Sequence, residues 1–321
     1  MQQLPITYDD VLAASYRIDE AVRRTPVLTS AELNDALDAR IHFKCENLQR
    51  VGAFKLRGAY NAIAALTPQE RAAGVIAYSS GNHAQAVAMA ATLQGARSTI
   101  VMPHDAPPIK RAATERYGAR VVEYDRYRED RIEIARGIAE REGGVTIPPY
   151  DHPDVIAGQG TVAKELIEQV GTLDVVIAPL GGGGLLSGTA VAAAALCPEA
   201  QVLGVEPEAG DDGRRSLAAG QIVRIDTPQT IADGAQTQFL GQYTFPILRR
   251  YVAEILTVPD ASLVQAMRWF FETLKVVVEP TGALAAAAVR DGLVDVRGKR
   301  VGVIVSGGNV DLARYGRLLS G

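Results

Sequence analysis

Four stretches of this 321-residue sequence hold side chains and glycines spaced for chemistry. In Asn47-Leu48-Gln49-Arg50-Val51-Gly52-Ala53-Phe54-Lys55-Leu56-Arg57-Gly58-Ala59, one lysine stands between an aromatic and an aliphatic residue where a helical pattern begins. Partial desolvation lowers a lysine pKa and readies its amine for Schiff-base chemistry, although a helix-start lysine taken alone is usually solvated. In Gly181-Gly182-Gly183-Gly184-Leu185-Leu186-Ser187-Gly188, four glycines lead from an apolar strand into a helix. Backbone N–H groups there can close on an anion, helped by the helix dipole, and phosphate is the natural guest. The run has neither the Lys-Ser/Thr of an NTP loop nor G-x-G-x-x-G spacing, so a terminal monophosphate fits better than a nucleotide. A tightly packed turn is the alternative.

The third stretch, Ser79-Ser80-Gly81-Asn82-His83-Ala84-Gln85, offers two hydroxyls, an amide and helix-start N–H groups that could hold a carboxylate; the same residue types also serve simply as helix caps. The fourth, Ser306-Gly307-Gly308-Asn309, follows the apolar run Val301–Val305. Its serine could bond a ring nitrogen, or only shape a turn. No aspartate follows that strand before Asp311.

Elements that would position these residues are visible in the alternation of Val/Ile-rich runs with helical patterns. Gly74–Tyr78, Ser98–Met102, Arg120–Tyr124, Asp174–Leu180, Gln201–Glu206 and Arg300–Ser306 read as strands. Ala84–Leu93, Ile109–Tyr117, Asp130–Glu142 and Asp260–Lys275 read as helices, the last with Asp260 and Ser262 as candidate caps. The pattern is that of open, mostly parallel α/β sheets with helices on both faces, whose ligands bind beyond the carboxyl ends of strands. Residues 74–150 hold three strand–helix alternations, enough for a small three-layer domain, and residues 1–73 plus 151–321 form the expected large one.

Composition narrows the partners. The formal charge is 33 − 37 = −4 without a basic run, which argues against nucleic acid and anionic membrane and for a small molecule. Cys45 and Cys197 are too few and too far apart for a disulfide framework or a redox pair, and read as buried thiols of a reducing compartment. The start of the chain lacks signal-peptide character and no stretch reads as a membrane span, so a cytoplasmic protein is expected. His42, His83, His104 and His152 form no helical metal-ligand pair.

Taken together, Lys44-x-Glu46-x-x-Gln49-x-x-Gly52-Ala53-Phe54-Lys55-x-Arg57-Gly58, Ser79–Gln85, Gly158-Gln159-Gly160-Thr161, Gly181–Gly184, Thr230-Ile231-Ala232-Asp233-Gly234, Glu279-Pro280-Thr281 and Ser306–Asp311 resemble, in order, the fold-type II pyridoxal-phosphate enzymes. The closest likeness is to the serine racemase and threonine/serine dehydratase group, over essentially the whole chain. The resemblance implies a tryptophan synthase β-like fold of two α/β domains and pyridoxal 5'-phosphate on Lys55. It implies that Phe54 and Asn82 contact the cofactor ring, that Gly181, Gly182, Gly183, Gly184 and Leu185 bind its phosphate, that Gly234 and Glu279 belong to the cofactor site, and that Ser306 bonds the pyridine nitrogen. A neutral serine there makes the ring a weaker electron sink, which favours β-elimination.

Lys55 and Ser80 are the implied catalytic pair, with Ser80 across the cofactor from Lys55 as in racemases. Ser79, Ser80, Asn82 and His83 are the implied carboxylate cradle, and Arg131 lies near a family arginine that approaches substrate. Glu206-Pro207-Glu208-Ala209-Gly210-Asp211-Asp212 resembles the family's divalent-cation loop, with Glu206, the Gly210 carbonyl and Asp212 as ligands for Mg²⁺, Ca²⁺ or Mn²⁺; an exposed acidic loop is the alternative. A homodimer is implied as well. The expected activity is dehydration of L-threonine or L-serine to 2-oxo acid and ammonia, with possible serine racemisation. Alternatives are a 3-hydroxyaspartate dehydratase, for which Arg126, Arg128 and Arg131 are available cations, a dedicated serine racemase, and a non-catalytic amino-acid sensor.

Overall fold

Short Val- and Ile-rich runs are too apolar for loops, and in the computed structural model of the chain they become strands of two open sheets with helices packed against them. The described residues are 4–106 and 108–320; Met1–Gln3 and Gly321, the ends of the expected large domain, lie outside them. The strands among them are β1 (Val27–Leu28), β2 (Arg40–Cys45), β3 (Val75–Tyr78), β4 (Ser98–Pro103), β5 (Arg120–Tyr124), β6 (Val145–Thr146), β7 (Val175–Pro179), β8 (Gln201–Pro207), β9 (Glu254–Val258) and β10 (Arg300–Val305). The larger sheet runs β1-β2-β10-β7-β8-β9 and is parallel except for β1. The smaller runs β5-β4-β3-β6 and is parallel throughout. The α/β architecture with mostly parallel sheets is therefore as expected.

Both faces of the larger sheet are buried, so β10 reads as a continuous apolar run: Val301, Val303 and Val305 pack with Phe43 and Phe270, while Ile304 packs on the other side with Leu166 and Leu173. Strands that sequence reading passed over have physical explanations. β1 and β6 are two residues long, and β2 is broken by Arg40, His42 and Lys44. Lys44 is nevertheless fully buried, its ammonium bonded to Glu165 at 2.8 Å, Gln169 at 2.7 Å and the Thr25 carbonyl at 2.9 Å. The helix expected over 260–275 begins as foreseen at Asp260 and ends in a wider π turn, Phe270–Leu274. Asp260 does not cap it: Pro259 holds the cap position, and the Asp260 carboxylate turns to the neighbouring loop, accepting from Thr230 Oγ1 at 2.5 Å and from the Ile231 N–H at 3.0 Å.

Three helices cross at glycines. A Cβ on Gly158, in helix Pro153–Val170, would lie 2.6 Å from the Arg57 carbonyl in helix Lys55–Ala64, and a Cβ on Gly188, in helix Gly184–Leu196, would lie 2.4 Å from the Gly160 nitrogen. The backbones therefore touch, and the helices carrying Lys55 and the glycine run are set at fixed spacing from a common partner. Gly158→Ala is expected to lower unfolding free energy by about 1–3 kcal/mol through overpacking against backbone, measured by denaturant titration; an unchanged midpoint would show that the crossing tolerates a methyl group.

Candidate active site

The carboxyl ends of β2, β3, β7 and β10 point toward one cavity of about 350 Å³, within the usual size of a cofactor pocket. Every residue expected at the cofactor and substrate sites lines it, from Phe54 and Lys55 through Ser79–His83, Arg131, Gly181–Leu185, Gly234 and Glu279 to Ser306. Residues more than two hundred positions apart meet because β10 lies between β2 and β7. Beyond the strand ends the loops are stitched together: the Phe54 N–H donates to the Ser306 carbonyl at 3.1 Å, and the Gly308 N–H to the Gly52 carbonyl at 2.9 Å.

Lys55 opens its helix with its ammonium nitrogen 2.6 Å from the Pro149 carbonyl and 5.1 Å from the centre of the Phe54 ring. No carboxylate bonds it among the described residues, and burial lowers its pKa to about 8. Across the cavity, the N–H groups of Gly182, Gly183, Gly184 and Leu185 donate to no acceptor among the described residues. They form an open nest at the start of helix Gly184–Leu196. The tight-packing alternative is also realised here. A Cβ on Gly182 would lie 2.3 Å from the Tyr150 ring, and Gly183 takes φ 99°, so the glycines serve both the close approach and the open donors.

Neither Ser79, Ser80 nor Asn82 caps helix Asn82–Leu93: Ser79 Oγ accepts from the Gly81 N–H at 3.2 Å, and the first turn of the helix keeps donors free for an anion. His83 enters this cradle as a neutral ring. Burial, with the Lys55 charge second, pushes its pKa down to about 3, and its Nε2 lies 2.9 Å from the Ile147 carbonyl. Since a carbonyl only accepts, Nε2 carries the hydrogen, and what His83 offers a carboxylate is its backbone N–H. Ser306 is buried with its hydroxyl on the cavity wall. Glu279, also buried, accepts from Asn82 Nδ2 at 2.7 Å, and burial, then the nearby Asp233 charge, raise its pKa to about 8.

The cation wall sorts itself by partners. Lys110 lies 2.6 Å from Asp233, and Arg126 lies 2.7 Å from Asp105. Arg128, 85% exposed beside Asp125, does not line the cavity. Arg131 lines it without a carboxylate partner among the described residues, its guanidinium 5.6 Å from the centre of the Tyr78 ring. Lys110, Tyr78, Pro149, Tyr150, Asp233 and Thr237 were not singled out in the sequence. Asp233 could have been, since it adjoins Gly234 in one motif; Tyr150 and Pro149 carry no local signal and arrive through tertiary packing. Thr237 Oγ1 is buried on the wall with no partner among the described residues.

The Glu206 loop lies away from this cavity. Glu206 is buried at the end of β8 and accepts from the Gly213 and Arg214 N–H groups at 2.9 and 3.0 Å. Asp212 is fully buried and neither of its carboxylate oxygens has a partner among the described residues. Burial, then the Asp212 charge, raise the Glu206 pKa well above the usual carboxylate range, and burial raises that of Asp212 to about 7. Two buried, mutually repelling carboxylates, of which Asp212 has both oxygens unsatisfied by the described residues, fit a hard cation. No three His, Cys, Asp or Glu side chains cluster as metal ligands among the described residues, so a carbonyl such as that of Gly210 would have to complete the set.

The family model described as "Pyridoxal-phosphate dependent enzyme" matches residues 18–307. L-threo-3-hydroxyaspartate ammonia-lyase of Saccharomyces cerevisiae is 59% identical, covering 98% of this chain and 97% of its own. Serine racemase of Schizosaccharomyces pombe is 55% identical, over 98% and 97%. The structure of maize serine racemase superposes with a TM-score of 0.93 at 41% identity, over 98% of this chain and 97% of that one.

A free amine at the cavity, an open N–H nest and a buried serine hydroxyl make a donor set that fits pyridoxal phosphate. Only the neutral amine condenses with an aldehyde, so a Lys55 pKa lowered from 10.5 to about 8 moves the onset of reactivity down. The rate of Lys55-dependent uptake of pyridoxal phosphate, followed by visible absorbance, should rise with pH to a midpoint near 8; a midpoint at the ordinary value would mean a solvated lysine.

Proposed function

The chain belongs to the pyridoxal-phosphate-dependent enzymes, and from that premise we propose that it is an ammonia-lyase whose substrate is a 3-hydroxy amino acid with a second carboxylate, 3-hydroxyaspartate, converted to a 2-oxo acid and ammonia. The observation that carries the substrate is Arg131. Lys110 and Arg126 are neutralised by their own aspartates, whereas Arg131 faces the cavity uncommitted, with the unpaired Thr237 hydroxyl also on the wall. A bidentate guanidinium is the group best suited to a further carboxylate. The yeast and Pseudomonas relatives named for this activity, 59% and 57% identical, support the same reading.

Bound pyridoxal phosphate supplies the electron sink that makes the substrate Cα–H acidic. The nest at Gly182–Leu185 would hold its phosphate and the Ser306 hydroxyl would meet its ring nitrogen. The first turn of helix Asn82–Leu93 takes the α-carboxylate. Lys55, neutral in part near physiological pH, takes up the Cα proton at Nζ. Ser80 adds a second reading: its hydroxyl lines the cavity with no protein partner among the described residues, so a proton can be returned to the opposite face and serine racemised. The Glu206–Asp212 pair holds Mg²⁺, Ca²⁺ or Mn²⁺ as a structural ion, and residues 74–150 move as the closing domain. A cytoplasmic homodimer is part of the proposal, supported by exposed Leu48 and Val277 beside the Asn47–Val277 hydrogen bond.

Ammonia release from L-threo-3-hydroxyaspartate is expected to exceed that from L-threonine and L-serine by more than tenfold in kcat/KM, and to vanish in Lys55→Ala. Arg131→Ala should cost about ten- to a hundredfold on hydroxyaspartate, the range for a charge-assisted bond, and less on serine. Preference for threonine or serine sinks the substrate assignment, and D-serine formation from L-serine, lost in Ser80→Ala, would establish the second reading. Mg²⁺ should raise the thermal midpoint of the wild type, whereas Asp212→Asn should stabilise the metal-free protein and abolish the response; an equal response in both would place the ion elsewhere.

A further inference from the structure

An asparagine side chain has a donor end and an acceptor end, and its other partners decide which end meets a ligand. Asn82 begins helix Asn82–Leu93, after β3 of the smaller sheet, and lines the cavity. Its Nδ2 donates to Glu279 Oε1 at 2.7 Å and its Oδ1 accepts from Asn309 Nδ2 at 2.9 Å. Asn309 Nδ2 also donates to the Val51 carbonyl at 2.6 Å. A backbone carbonyl cannot donate, so that bond alone settles which end of Asn309 is nitrogen, and Asn309 then settles which end of Asn82 is oxygen. Once these bonds are made, one N–H of Asn82 is left over.

The anchor is itself unusual. Val51 takes φ 57°, a left-handed conformation that a β-branched residue rarely adopts, and Gly52 follows at φ 69°. A Cβ on Gly52 would lie 2.4 Å from Asn309 Oδ1, so the glycine is what lets Asn309 come close enough to reach the Val51 carbonyl. Three residues later the chain reaches Lys55. Asn309 does not line the cavity and acts only through what it holds.

We infer that Asn309 is a positioning residue: anchored on the Val51 carbonyl, it turns the Asn82 amide so that an N–H, and not a carbonyl, faces the cofactor ring. The inference rests on the pyridoxal-phosphate reading above. An N–H in that place stabilises negative charge on a ring oxygen, where a carbonyl would repel it.

The test is a double-mutant cycle on the holoenzyme with Asn309→Ala, Asn82→Ala and both, read by the position of the visible cofactor band and by the pyridoxal phosphate Kd. Asn309→Ala should shift the band and raise Kd about tenfold, the scale of one lost hydrogen bond. In the Asn82→Ala background the same change should add nothing to either readout. A purely structural role for Asn309 would lower stability and give additive effects, and additivity overturns the inference. The wild type provides a second measurement should the variants fail to fold. The sequence has five asparagines, and with ¹⁵N-asparagine labelling one proton of one side-chain NH₂ pair should move downfield when pyridoxal phosphate is added; no such movement in any of the five overturns the inference. A wild-type protein lacking a Lys55-dependent band would overturn the cofactor reading together with this one, whereas a normal band with an additive cycle overturns this one alone.

Discussion

The placement of Lys55 depends on a charge network shut away from water. Arg57, two residues further along the same helix, is fully buried and bonds Glu46 at 2.7 Å and Glu165 at 2.7 Å, while Lys44 bonds Glu165 at 2.8 Å. Two cations and two carboxylates balance, which is the condition under which buried charge is tolerated; removing one partner of such a set typically costs about 3–5 kcal/mol. Burial alone would weaken the Arg57 cation, but Glu46 and Glu165 more than compensate and hold its pKa above the ordinary value. The network ties the end of β2 to helices Lys55–Ala64 and Pro153–Val170. Its geometry, together with the glycine crossings, determines where the amine stands.

Lys44, fully buried, and Lys55, half-buried on the cavity wall, show how the partner decides the chemistry. Lys44 is lowered by burial, but the Glu165 carboxylate opposes the shift and keeps it an ammonium suited to structure. Lys55 has only the Pro149 carbonyl and an aromatic ring beside it, so desolvation is unopposed and the amine becomes available as a base. The same logic separates the cavity arginines, since Arg126 is paired with Asp105 while Arg131 bonds no carboxylate among the described residues.

The cavity lies between elements of the two sheets, and several bonds cross it. Lys110, from the smaller sheet's helices, reaches Asp233, and Asn82 reaches Glu279 and Asn309. They lie above an apolar contact, since Leu56, Ala59 and Ile63 of helix Lys55–Ala64 pack in one core with Val75, Ala84 and Val87 of the smaller sheet and its helix.

Local chemistry was legible in the sequence wherever it depends on neighbours in the chain. The glycine run after a strand, a lone lysine beside a phenylalanine and a serine at a strand end stand out by residue type and position, each with a purely structural alternative, and six strands follow from Val/Ile runs that only a two-sided core explains. Tertiary structure decided the rest, because it depends on groups distant in sequence. β2 is a strand despite three basic residues because Glu165, 121 positions from Lys44, neutralises one of them. Asp260 looks like a cap but is drawn off by the Thr230 loop. Tyr150 joins the site because Gly182 leaves room for its ring, and which end of Asn82 meets the cavity is set by a carbonyl thirty-one residues earlier through an asparagine near the C-terminus. Desolvation and hydrogen-bond polarity belong to an environment, and the environment exists only once the chain has folded.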